Sequence, residues 1–217
     1  LRAFKGGVLA VHTIAALRRS GIAAELLVAG KGVDAAYMQQ AADRLGVADA
    51  VRFLGLVSDM GGFFDGIDIL LHPALREPYG NIAAEAQCFG VPVVTTYIDG
   101  LPEVVAHEET GICVYPDLEK DEFASFGGDA SDIYALVYHP SRRGNGADRS
   151  AAPEEGVIEA PRFASPQAFA EAVAAVVSSA DVYAGFSARA IERARRNFTP
   201  AVHIDRLIDR MKLAISL

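Results

Sequence analysis

The chain has 217 residues, 51% of them hydrophobic, with 28 acidic against 20 basic side chains and a net charge of −8. That apolar share supports a well-buried core and excludes global disorder, and the acidic balance excludes nucleic acid as a main partner, because a phosphate backbone needs a basic patch. No apolar run approaches the ~18 residues needed to span a bilayer, and no secretory signal is read at the start.

In chain order, the spacing of Val8, Val11, Ile14 and Ala15 predicts a helix over 7–19, stopped by Gly21. Residues 24–30 read as a strand ending in a glycine turn, 34–45 as a helix ended by Gly46, 51–55 as a second strand and 60–66 as a short helix. A buried strand over 67–73, a helix over 80–90, a strand over 91–96 and a helix over 101–107 entered through Pro102 follow. Residues 111–115 form the last clear strand. This alternation predicts βαβ units and an α/β fold: a Rossmann-like, doubly wound parallel sheet covered on both faces, with helices at its C-terminal end.

The stretch 116–165 breaks the rhythm. It begins acidic (Asp117, Glu119, Asp121, Glu122) and turns polar and turn-rich over 139–150. A loop that long in a compact domain is functional or mobile. We expect a mobile surface flap, open to proteolysis at Arg142 or Arg143, with a short strand or helix at 134–138. Helices over 166–178, 181–196 and 200–215 close the chain, and Ser165-Pro166 and Thr199-Pro200 each set a cap residue before a proline at the first helical position. Cys88 and Cys113 sit in apolar patterns without ligand spacing, as small core residues of a reducing compartment would.

The run from Glu77 to Glu85 places two carboxylates eight positions apart across a strand-to-helix junction. Ligands of open α/β sheets bind outside the carboxyl ends of strands, where helix N-termini point free N–H groups outward. Gly80-Asn81 would let backbone amides approach a phosphate, and a glutamate on either side could take hydroxyls, which suggests a nucleotide-sugar site. On the predicted helix, Ile82, Ala86 and Phe89 form the core stripe, and Glu85 falls roughly 60–70° from its centre. Taken alone, Glu85 reads equally as a half-exposed helix residue and Glu77 as a charge complementing a helix dipole.

The segment Glu77-Pro78-Tyr79-Gly80-Asn81-Ile82-Ala83-Ala84-Glu85-Ala86, followed by Gly90-Val91-Pro92-Val93-Val94, resembles the E-x7-E signature of the retaining group 1 (family 4) glycosyltransferases of GT-B fold. Lys5-Gly6, the run Val51 to Gly55 with Val57 and Asp59, and Asp99-Gly100-Leu101-Pro102-Glu103 with Thr110-Gly111 match further segments of that family in order. So do Ala188-Arg189 and Asn197-Phe198-Thr199.

The resemblance implies that residues 1–217 are one nucleotide-sugar-binding domain, half of a GT-B fold, with 116–165 inserted and 166–217 as C-terminal helices. It implies a parent that transfers a hexosyl-type group with retention, and a missing N-terminal acceptor domain; opening at Leu1 without Met fits a piece of a longer protein.

Residue by residue, Lys5 would pair with the donor diphosphate. The amides of Gly80, Asn81 and Ile82, with Tyr79 beside them, would cradle the diphosphate and face the sugar. Glu77 would be the catalytic residue, gripping sugar hydroxyls beside the developing oxocarbenium-like centre. Glu85 would take both ribose hydroxyls, and Val57 with Asp59 would contact the base, although Asp59 could equally cap the next helix.

Two departures stand out. The arginine the family carries about five residues before its lysine would fall before Leu1, leaving Arg2 as a poorly aligned substitute. Asp99 also stands where many members have the first of two glycines.

No cofactor or metal is expected, the nucleotide diphosphate sugar being the donor substrate; the acceptor, a saccharide or lipid, is not specified. The histidines are assigned no ligand role, His72 being at most a support beside the site. The implied location is the cytoplasm, or the periphery of the inner membrane face for the parent. Two other readings stand beside the transferase: a nucleotide-binding fragment or regulatory module without turnover, and a nucleotide-sugar epimerase of GT-B fold.

Overall fold

The computed structural model describes residues 1–129, 131, 133, 136–140 and 156–215. Its first half alternates α1 (Gly7–Arg19), β1 (Leu26–Ala29), α2 (Asp34–Leu45), β2 (Val51–Gly55), α3 (Met60–Asp65), β3 (Leu70–His72), α4 (Asn81–Cys88), β4 (Val93–Thr96), α5 (Leu101–Val104) and β5 (Gly111–Val114). Every pairing among these strands is parallel, with Leu26 opposite Val51, Leu70 opposite Val93 and Val93 opposite Gly111. β4 is buried along its whole length, as a central parallel strand must be. Val93 joins Phe64, Ala83 and Val104 in one core, and its neighbour Val94 joins Ile14, Leu17 and Phe169 in another, so helices cover both faces.

The parallel ladder comes in two pieces, β1–β2 and β3–β4–β5, rather than as one continuous sheet. Between them lies a cavity of about 870 Å³ whose lining includes Leu26, Leu27, Ile69, Leu70 and Leu71. Several predicted elements are shorter in the structure, each for a local reason. β3 ends at His72 because Pro73 offers no N–H for a further rung. α5 stops after four residues, where Val105 turns extended with its N–H on the Leu101 carbonyl.

Two side-chain placements on α4 differ from expectation. The buried stripe is Ala83, Ala84, Ala86 and Gln87. Phe89, the residue that caps the helix, is 47% exposed and stacks on Phe64 with 5.3 Å between ring centroids. Ala83, Ala84 and Ala86 pack into the core with Phe64, Val93 and Leu101, which turns the opposite face of the helix outward. For the same reason Cys88 lies exposed, on the face of Asn81 and Glu85; Cys113 is buried as expected.

The described parts of the 116–165 stretch are tied into the fold. β6 (Leu118–Glu119) pairs antiparallel with β9 (Arg162–Phe163), and β7 (Val137–His139) pairs antiparallel with β8 (Val157–Glu159). A 3-10 helix over Lys120–Phe126 starts with a capping box between Glu119 and Glu122. Phe123 and Phe163 are fully buried with Leu9 and Leu75, which anchors both ends of the insertion in the core. Of the predicted strand or helix at 134–138, residues 134 and 135 lie outside the described residues, and β7 covers Val137 and Tyr138. Arg142 and Arg143 lie outside the described residues.

Three helices follow: α6 (Pro166–Val176), α7 (Ala180–Asn197) and α8 (Pro200–Ile215). The Ser165 hydroxyl caps α6 by accepting from the Ala168 N–H at 3.2 Å, and Thr199 accepts from Val202 at 3.4 Å. The guanidinium of Arg193 on α7 donates to the Val104 carbonyl at 2.8 Å and to that of Glu103, closing the C-terminus of α5. No single helix among the described residues is long and apolar enough to cross a membrane.

Candidate functional site

The site forms where the loop 73–80 leaves β3 for α4, and three other segments hold that loop. The first is the 3-10 turn Ala3–Lys5. Its Phe4 carbonyl accepts the N–H groups of Leu75 at 2.7 Å and Arg76 at 3.3 Å. Gly6 then takes a left-handed turn (φ 69°) so close to Pro73 that a Cβ would lie 1.8 Å from its carbonyl oxygen. This docking lays Lys5 over the loop, where its Nζ pairs with Glu77 Oε2.

The second is β3 itself, whose last residue, His72, sets its Nε2 3.0 Å from the same Oε2. A carboxylate only accepts, so that nitrogen carries the proton. Both donors converge on one oxygen of Glu77, and Oε1 is engaged by neither. Partial burial pushes the Glu77 carboxyl up. Hydrogen bonds from His72 and Lys5 and their charges outweigh burial and hold the carboxyl at about 2. Glu77 is therefore an ionised, held carboxylate at neutral pH.

The third is the loop 98–101 after β4. Asp99 Oδ2 accepts the Glu77 N–H at 2.8 Å, and the Gly100 N–H lies 3.4 Å from the Glu77 carbonyl. A Cβ on Gly100 would sit 2.3 Å from the Pro78 carbonyl, so only glycine permits this approach. The main chain of Glu77 is thus fixed on both sides, independently of its side chain.

Beyond Glu77, Gly80 caps α4 in the left-handed region (φ 94°), with no room for a Cβ beside Leu101 Cδ2 at 2.8 Å. The N–H groups of Asn81 and Ile82 open α4 and have no acceptor within the helix. Asn81 and Glu85, four residues apart, share the exposed face. Tyr79, 47% exposed, stands at the mouth.

Val57 and Asp59 lie further off, just past β2. Asp59 caps α3, its Oδ1 accepting the Gly62 N–H at 3.0 Å, which is the alternative the sequence left open. A Cβ on Gly61 would come within 3.8 Å of the Phe89 ring, so the start of α3 borders the end of α4 one turn beyond Glu85. A second cavity, of about 560 Å³, opens beside Gly30–Gly32, Phe53 and Gly55. The 870 Å³ cavity between the two sheets touches none of these residues.

The family model described as "Glycosyl transferases group 1" matches residues 2–126, the stretch that carries all of these groups. The chain belongs to the group 1 glycosyltransferases.

Among curated relatives it is 38% identical over 95 residues to an uncharacterized glycosyltransferase of Methanocaldococcus jannaschii, covering 43% of this chain and 24% of that one. It is 35% identical over 112 residues to D-inositol 3-phosphate glycosyltransferase of Streptomyces scabiei, covering 51% and 24%. The matched stretches span about a quarter of those relatives' lengths. Among solved structures, Anabaena HepE in complex with UDP and glucose superposes with a TM-score of 0.67 at 18% identity, over 99% of this chain and 46% of that one. The C-terminal domain of the group 1 protein LpcC from Francisella tularensis superposes with a TM-score of 0.64 at 14% identity, over 92% and 83%. These likenesses establish the fold, the Rossmann-like half of a GT-B glycosyltransferase.

Within this group 1 chain the structure brings Lys5, Glu77, Gly80 and the Asp99–Leu101 loop together, and sets Asn81, Ile82 and Glu85 on the adjoining helix. For two members of the cluster, sequence reasoning gives a place near the site but not the contact with Glu77. His72 touches Glu77 directly, and its position as the last strand residue before Pro73 was the available signal. Asp99 holds the Glu77 main chain; its replacement of a glycine was noted, but its partners were not foreseeable from spacing.

Proposed function

We propose that the chain is the donor-binding half of a glycosyltransferase that acts on a nucleotide diphosphate sugar with retention of anomeric configuration. The observation that carries this reading is the ionised Glu77 carboxylate, fixed through main chain and side chain at the mouth of α4 beside a lysine and two unpaired helix amides. Lys5 and the amides of Asn81 and Ile82 are suited to a diphosphate leaving group, whose charge grows as the glycosidic bond breaks. Glu77, with Oε1 free, is suited to a sugar hydroxyl and to a carbon gaining positive character. Glu85, one turn along the exposed face, is suited to paired ribose hydroxyls, with Val57 and the edge of α3 beyond it for the base.

In the free chain Lys5 neutralises Glu77. A bound diphosphate would draw Lys5 toward itself and leave Glu77 more available to the sugar. The acceptor would come from a second, N-terminal domain, as the chain spans under half of HepE. By itself the chain would hold donor without turning it over.

Titration calorimetry with UDP, GDP and ADP tests this reading. One of the three should bind, and Lys5→Ala and Glu85→Ala should each weaken that binding about tenfold or more, equivalent to ~1.4 kcal/mol. Binding of none, or binding that neither substitution weakens, overturns the assignment.

A further inference from the structure

Asp99 has an unusual backbone and an unusual set of partners. Its φ of 49° lies in the region that favours glycine, where another residue persists only if its surroundings hold it. Its side chain is 3% exposed. Oδ2 accepts the Glu77 N–H at 2.8 Å and pairs with Arg76 Nη1 at 2.5 Å. Oδ1 faces the other way and accepts the Tyr138 N–H at 3.2 Å, while the Asp99 N–H donates to the Tyr138 carbonyl at 2.9 Å. One buried carboxylate therefore ties the main chain beneath Glu77 to β7, the first strand of the inserted hairpin. Both main-chain groups of Tyr138 are directed at Asp99, so β7 is bonded to the site loop along one edge and to β8 along the other.

We propose that Asp99 is a positioning residue that sets Glu77 for the sugar half of the donor, and that through Asp99 the β7 strand of the insertion is a working part of that grip. The inference rests on the donor-site reading above and extends it from the residues that touch donor to the segment that holds them. A glycine at position 99 would suit the backbone and keep the main-chain bond to the Tyr138 carbonyl but would lose all three carboxylate bonds, so the aspartate earns its place by its carboxylate. Asparagine there would keep the left-handed backbone. Its amide NH₂ would have to face one of two N–H donors, breaking either the Glu77 side or the Tyr138 side.

The test measures, on the 217-residue chain, the affinity for UDP, GDP or ADP and for the corresponding glucose ester. The quantity of interest is the ratio between ester and free diphosphate. Asp99→Asn and Tyr138→Pro should each lower affinity for the ester fivefold or more and leave the free diphosphate within twofold. Tyr138→Pro removes the N–H given to Asp99 together with the ring and the hydroxyl that accepts the Gly156 N–H at 3.2 Å, and Tyr138→Phe, which loses that hydroxyl but keeps the ring and the N–H, should match wild type. The double variant Asp99→Asn/Tyr138→Pro should lose no more than the worse single one, because both break one link. Asp99→Gly, whose backbone is native to φ 49°, guards against loss by simple unfolding and should show the same selective loss.

If the wild-type chain prefers the ester and Asp99→Gly and Tyr138→Pro retain that preference, the inference is wrong and the donor site stands. If wild type binds no nucleotide diphosphate in either form, the donor-site reading fails and takes this inference with it. A wild type that binds the free diphosphate but gains nothing from the sugar overturns the inference alone.

Discussion

The ion pairing at Glu77 makes a quantitative prediction about stability. Holding the carboxyl at about 2 instead of 4.5 corresponds to roughly 3 kcal/mol of preference for the ionised form. The Lys5 side chain is 38% exposed, and solvent screening on that side cuts the usable value to about 1–2 kcal/mol. Glu77→Gln keeps the shape and one acceptor oxygen but not the charge, so it should destabilise the fold by about 1–2 kcal/mol at pH 7.

The sign of the pH dependence follows from the folded value lying below the unfolded one. The contribution is fully present above about pH 4.5 and is lost as pH falls toward 2. Urea unfolding of wild type and Glu77→Gln between pH 7 and pH 3 reads the difference, in which acid effects common to both proteins cancel. The gap should shrink to under about half by pH 3. A gap that is the same at both ends of the range, or a variant more stable than wild type, would refute the account of the cluster.

Three further outcomes are expected. Gly80→Ala places a Cβ 2.8 Å from Leu101 Cδ2 at a φ of 94°, and should cost about 1–3 kcal/mol in urea unfolding as well as nucleotide affinity. Iodoacetamide should add once to the native chain, at exposed Cys88, since burial pushes the Cys113 thiol up to about 12. Burial and then the Glu85 charge both raise the Cys88 thiol, so Glu85→Gln should quicken its labelling at fixed pH, which mass spectrometry would show. A double-mutant cycle of Lys5→Met with Glu77→Gln should give a coupling of about 0.5–1 kcal/mol in the free chain. Saturating nucleotide diphosphate should reduce that coupling, and an unchanged value would mean Lys5 does not turn toward phosphate.

The fold was legible wherever local chemistry and tertiary need agreed. α1 and α2 fall at their predicted bounds because apolar periodicity and terminal Gly21 or Gly46 mark them. β2 likewise reads from its short apolar run. The rotation of α4 was not legible, since Ile82, Ala86 and Phe89 make as good a stripe as Ala83, Ala84, Ala86 and Gln87 until Phe64, Val93 and Leu101 are placed against it. The anchoring of the described ends of the 116–165 stretch was not legible for a related reason: its composition is that of a loop, and the two phenylalanines that anchor it, Phe123 and Phe163, are 40 residues apart. Of the site, Glu77, Lys5 and Gly80 could be found from sequence because each has a recognisable neighbour pattern. The Asp99 bonds could not, because they join residues 22 and 39 positions away across three elements.

The site divides its work between a fixed frame and an exchangeable charge. The frame consists of close contacts that leave no room for a Cβ, Gly6 against the Pro73 carbonyl, Gly100 against the Pro78 carbonyl and Gly80 against the Leu101 side chain, together with the Asp99 carboxylate on the Glu77 N–H. Such contacts determine where Glu77 sits without consuming its acceptor oxygens. The exchangeable part is Lys5, a flexible point charge left half in water. An arginine in its place would bind the carboxylate bidentately and occupy both oxygens, closing the oxygen that the proposed donor reading leaves for a sugar hydroxyl. A neutral residue would leave Glu77 with His72 alone and would offer a diphosphate nothing. On the proposed donor reading, the lysine satisfies Glu77 while the site is empty and can leave it at small cost, and that would make one carboxylate compatible with both a stable fold and an anionic ligand beside it.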